Sequence, residues 1–144
     1  MRWTNERRYS PFRVGQRPGA KPLESQYFTS PKNRVFYITM GCGRLFEGTA
    51  EQMYANLKRI CELPEDVRIY CGHEYTLANA HFAAHAEPGN AAVAERMART
   101  QAQRDAGEIT LPTTVGQERE TNPFVRATNS EDFAQLRSAK DSFR

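Results

Sequence analysis

The amino-acid order predicts an α/β chain that grades into a helical C-terminal end. Three observations carry this. A β-branched and aromatic run lies at Arg34–Thr39. An amphipathic stripe with a capping signature follows from Thr49. A second short apolar run, Val67–Cys71, precedes several stretches of helical spacing.

Taken in order, Arg-Val-Phe-Tyr-Ile-Thr at residues 34–39 reads as a buried strand, and Gly41-Cys42-Gly43 breaks it. Thr49 starts a helix over Thr49–Leu63, because Gln52 three residues on completes a capping box that satisfies otherwise unpaired amide donors. Met53, Leu57 and Ile60 fall at i, i+4 and i+7 on one stripe, and Pro64 ends the helix. Val67–Cys71 is a second strand, closed by Gly72. A helix is expected from about Thr76 to Ala86, stopped by Pro88 and Gly89. Asn90 caps the next, Ala91 to about Ala106, with Val93 and Met97 inward and Gly107 as its C-cap. Thr110–Thr114 is extended around Pro112. Ser130 caps a last helix through Phe133, Leu136 and Lys140. No internal repeat is found.

A length of 144 residues suits one small domain, but hydrophobic residues are only 39%, below the usual ~45–50% apolar share, so the core is thin. No run approaches the ~18 apolar residues needed to span a bilayer, and no apolar segment follows the first charges as a secretory signal would require. Three cysteines cannot all pair with one another, which fits free thiols in a reducing cytoplasm. Residues 1–24 hold six basic side chains against two acidic ones, a net +4. The whole chain carries +3, leaving −1 for the remainder. Such a leader, with Trp3, Tyr9 and Phe12 among its arginines, has the ingredients for nucleic-acid contact. Its Pro and Gly content and lack of periodicity favour a solvated irregular tail instead.

Three segments carry the chemistry. The first is Gly41-Cys42-Gly43-Arg44-Leu45-Phe46-Glu47-Gly48-Thr49. The second is Tyr70-Cys71-Gly72-His73-Glu74-Tyr75-Thr76, followed by Asn79 and Phe82. The third is Asn122-Pro123-Phe124-Val125-Arg126, then Leu136-Arg137-Ser138-Ala139-Lys140-Asp141-Ser142-Phe143. In order and spacing they resemble glyoxalase II, also called hydroxyacylglutathione hydrolase, a family of the metallo-β-lactamase superfamily. The resemblance runs from Tyr27 to Arg144. It implies a partial metallo-β-lactamase-like sandwich with few strands over residues 25–75, then a helical glutathione-binding domain over 76–144; residues 1–24 are unlike the family.

The resemblance also implies a reaction, the hydrolysis of S-lactoylglutathione to glutathione and lactate in methylglyoxal detoxification. Two zinc, iron or manganese ions generate a hydroxide near neutral pH and polarise the thioester carbonyl. Family ligands come mainly from a Thr-His-x-His-x-Asp-His motif, a later His, a bridging Asp and a final His; the final one matches His73. The others have no counterpart. The only histidines are His73, His81 and His85, none precedes His73, and no Asp precedes Asp66. The chain is therefore expected not to hold the binuclear site fully and to be inactive alone. His81 and His85 share a helix face but lack the Glu of His-Glu-x-x-His, so they read as surface residues. A thiolate nucleophile at Cys71 would need a nearby base and a depressed pKa, and strand alternation does not guarantee contact with His73.

Glutathione recognition is better preserved. Its two carboxylates call for cationic partners. By resemblance these are Arg44, Arg137 and Lys140, with Phe46 and Tyr75 beside them; Arg137 and Lys140, at i and i+3, share a helix face. The competing reading is a non-catalytic relative that keeps only a weak glutathione-binding surface.

Overall fold

A computed structural model describes residues 39–45 and 48–143. The expected strand over 34–39 lies outside the described residues except for Thr39, as do the basic leader and Phe46. Among the described residues the architecture is mostly helical: α1 (Ala50–Cys61), β1 (Arg68–Ile69), α2 (Thr76–Ala86), α3 (Ala91–Asp105), β2 (Thr113–Thr114), α4 (Val115–Thr121), α5 (Pro123–Arg126) and α6 (Ser130–Ser142).

Helix α1 begins as its sequence requires. The Thr49 hydroxyl accepts from the Gln52 amide, and the Gln52 side chain accepts from the Thr49 amide, completing the capping box. Its stripe turns inward: Leu57 is fully buried, and Met53 and Ile60 pack on the core beside it. The Asn90 side chain caps α3 by accepting from the Ala92 and Val93 amides. Gly107, at φ +74°, takes the left-handed position just beyond the α3 C-cap.

The second expected strand is shorter than Val67–Cys71. Only Arg68 and Ile69 pair, antiparallel with Thr114 and Thr113. The ladder is stopped because Pro112 precedes β2 without an N–H to offer, and α4 starts directly after it. Helix α4, unforeseen in the sequence reading, is capped by the Thr114 hydroxyl on the Gln117 amide. The one-turn α5 is capped by Asn122 on the Phe124 amide, with Pro123 at the first helical position. The cap of α6 is Asn129 rather than Ser130: its side chain accepts from the Asp132 amide at 2.8 Å.

One apolar cluster joins Leu57 of α1, Val67, Ile69, Phe82 of α2, Val115, Phe124 of α5 and Phe133 of α6. Phe124 lies at its centre, stacked on Phe82 and edge-on to Phe133 with ring centroids 5.7 Å apart in both pairs. A smaller cluster of Met40, Ala80, Ala83 and Val93 lets α2 and α3 pack closely through alanines. No helix among the described residues is long and apolar enough to cross a membrane.

Candidate functional site

The first motif, residues 39–43, forms neither helix nor strand. It threads between helices, and side chains from three sides hold its backbone. Asn79 of α2 donates to the Thr39 carbonyl at 3.0 Å. The Met40 amide donates to Glu118 of α4 at 2.9 Å. Asn122 donates to the Gly41 carbonyl at 2.9 Å, and Arg137 of α6 donates to the Gly43 carbonyl at 2.9 Å. The Thr39 hydroxyl also contacts the Cys71 sulfur. Met40 sits at φ +55°, a left-handed conformation that side-chain-bearing residues rarely adopt, with its side chain fully buried. Gly41 allows the close approach of Asn79, since a Cβ there would lie 2.7 Å from the Asn79 amide nitrogen and would push that side chain aside.

Beneath the thread lies a buried ion pair. Glu118 is wholly inaccessible and receives four donors: Arg96 at 2.8 Å and Thr113 at 2.7 Å on one oxygen, the Met40 amide and the Asn122 side chain on the other. Arg96 completes its fork on Thr113 and Thr121. A buried charge pair is tolerable only when its remaining donors and acceptors are met, as here. Sequence reasoning missed this pair. The signal was present: Arg96 lies three residues after Val93, and Glu118 three after Val115, each on its helix's inward stripe.

The residues expected at a glutathione surface are distributed as follows. Arg44 is exposed and immediately follows the thread. Tyr75 is 55% exposed and stacks parallel on His73, centroids 5.1 Å apart. Lys140 is half-buried, reaching the Ala78 carbonyl at 3.3 Å and lying over the Phe82 and Phe143 rings. Arg137 shares its inward side but is buried. Its fork is engaged with the Gly43 carbonyl and with Asp141 at 2.7 Å, its guanidinium lies over Phe124, and its Nε is buried with no hydrogen-bond partner. These contacts bring the thread, the start of α2 and the middle of α6 together. Phe46 lies outside the described residues.

Electrostatics follow from this packing. Burial pushes the Cys42 thiol up to about 11, against the opposing pull of the adjacent Arg137. Partial burial, with Arg137 nearby, lowers Lys140 from its ordinary value. Partial desolvation raises Glu74, but two hydrogen bonds from Thr110, the Arg104 charge and Thr76 outweigh it and hold the carboxyl below the usual range.

Among the described residues the donor set does not fit a binuclear metal centre. Among the described residues no three His, Cys, Asp or Glu side chains converge. The sequence adds no histidine before His73. A two-metal site needs several such ligands around each cation. His81 and His85 are exposed on α2, His85 against the Phe143 ring. All three cysteines are free thiols.

The family described as "Hydroxyacylglutathione hydrolase C-terminus" matches residues 74–143. The hydroxyacylglutathione hydrolase of Acidiphilium cryptum (strain JF-5) is 50% identical over 106 residues, covering 74% of this chain and 44% of the relative. That of Rhizobium meliloti (strain 1021) is 48% identical over 120 residues, covering 74% and 47%. That of Bartonella tribocorum (strain CIP 105476 / IBS 506) is 41% identical over 138 residues, covering 83% and 54%. The chain spans about half the length of the curated relatives it matches. Residues 74–143 belong to the hydroxyacylglutathione hydrolase, or glyoxalase II, family as its C-terminal region.

Proposed function

We propose that the helical region is a glutathione-binding module and that this chain by itself does not turn over a glutathione thioester. The observation that carries the second half is the donor set: no three metal-ligating side chains converge among the described residues, and the sequence offers no histidine before His73. The first half is supported by the cationic side chains around the thread. Arg44 and Lys140 are groups with accessible charge for the two carboxylates of glutathione, and Tyr75 supplies an exposed ring at the start of α2. Arg137 adds its charge from below while holding Gly43. Exposed ion pairs contribute about 0–1 kcal/mol each. Affinity is accordingly weak, on the order of millimolar or roughly −4 kcal/mol, and it falls with salt. Free thiols suit a reducing, cytoplasmic setting.

The test is hydrolysis of S-lactoylglutathione by the purified chain with and without added zinc. No metal-dependent rate is expected. A rate that disappears in His73→Ala would overturn the proposal. It would support a second reading, favoured by the 50% identity to named hydrolases, in which the chain takes part in hydrolysis to glutathione and lactate at the family's metal centre.

A further inference from the structure

The thread raises a question that the surface residues do not answer: what fixes the direction in which Arg44 leaves the fold. Residues 39–43 belong to no ladder or helix, yet four of their backbone groups are bonded by side chains of four distant residues: Asn79, Glu118, Asn122 and Arg137. Backbone groups buried in this way must be satisfied, and here side chains do what a neighbouring strand does elsewhere. Met40 is held in a left-handed conformation that the chain adopts only under such constraint. Glu118 is itself pinned by Arg96, so the grip on Met40 is transmitted from α3 and β2 through a rigid, fully bonded carboxylate.

We infer that Asn79, Glu118 and Asn122 are positioning residues that set the exit of Arg44 from the thread, and thereby the spacing between Arg44 and Lys140 across the ligand surface. This rests on the glutathione-binding reading above. A ligand with carboxylates at its two ends is read by the separation of two cations, so the geometry of the thread governs selectivity for its length. Asn79 is the informative residue. It is only half-buried, it lies on α2, and its Nδ2 makes one bond to the thread without joining the buried charge pair.

The experiment uses the full chain, glutathione as probe, and NMR to follow both ligand shifts and amide hydrogen exchange. Asn79→Ala leaves the Thr39 carbonyl without its donor and should lower the melting temperature by a few degrees while the fold is kept, alanine being a good helix former. It should speed exchange of the Met40 amide about tenfold and weaken glutathione about three- to tenfold, as far as Arg44→Ala does. Asn79→Leu, close in shape and uncharged but without the donor, should behave alike. The double variant Asn79→Ala with Arg44→Ala should bind no worse than Arg44→Ala alone, because Asn79 acts through Arg44. Additive losses, or unchanged Met40 exchange in Asn79→Ala, would overturn the positioning role while leaving the binding reading intact. If Lys140→Ala weakens binding and Arg44→Ala does not, the positioning role fails and the surface stands. If wild type shows no glutathione shifts at millimolar concentration, both readings fall together.

Discussion

Arg137 and Lys140 show how far one helical turn separates two roles. The i, i+3 spacing placed them on one side of α6, and they do share it, but spacing says nothing of depth. Arg137 is buried against Phe124 and Gly43 while Lys140 keeps part of its charge in solvent. Arg137→Ala is therefore expected to cost about 2–3 kcal/mol of stability, through a lost backbone partner and a vacated buried volume. Lys140→Ala should stay within about 1 kcal/mol. Urea denaturation of the two variants separates these values. Cys42 predicts an alkaline signature. Its folded pKa of about 11 lies above the ordinary 9.0, so the unfolded chain releases the proton first. The corresponding stability is complete below pH 9, and up to roughly 3 kcal/mol is lost as pH rises towards 11. Lys140, lowered in the fold, works in the opposite direction just below 10.5, and less strongly because it is partly solvated. Cys42→Ala should flatten the alkaline loss in a pH series of melts. Glu74 governs the acid side: its depressed carboxyl adds stability above its unfolded pKa that disappears as pH falls through the folded value.

At the scale of elements, the caps were the legible part. Thr49 with Gln52, Asn90 before Ala91, and Gly107 after α3 all occupy the positions their side-chain chemistry requires. Removing the first hydroxyl by Thr49→Ala should cost about 1 kcal/mol, read as an earlier melt; an unchanged melt would mean that α1 is held by tertiary packing alone. The end of the chain was harder to resolve because Thr128, Asn129 and Ser130 are three consecutive capping types. The choice falls to Asn129 because Asp132 can then accept from the Thr128 amide at 2.9 Å. Helices α4 and α5 escaped notice since seven and four residues are too short to display a period. The thread was illegible for a different reason. Its bonds join residues 32 to 94 positions apart, and no local pattern encodes them.

Taken whole, the molecule draws its core from both sides of the second motif. Leu57 and Val67 meet Phe82, Phe124 and Phe133 in one cluster, and the Lys58 ammonium of α1 donates to the Val125 carbonyl of α5. The family resemblance was readable because short motifs survive in order; the interdependence of those motifs was not. The recognised family segment begins at residue 74, whereas Glu118 draws one of its four donors from Met40. A fragment of residues 74–143 would strip that donor from a buried carboxylate and expose the rings that Leu57 covers. Such a fragment should keep helical circular dichroism yet melt without a sharp transition and bind a hydrophobic dye; a steep, two-state melt at the full chain's temperature would refute this. The side-chain clamp on five residues of irregular backbone thus ties the segment 74–143 to the chain that precedes it.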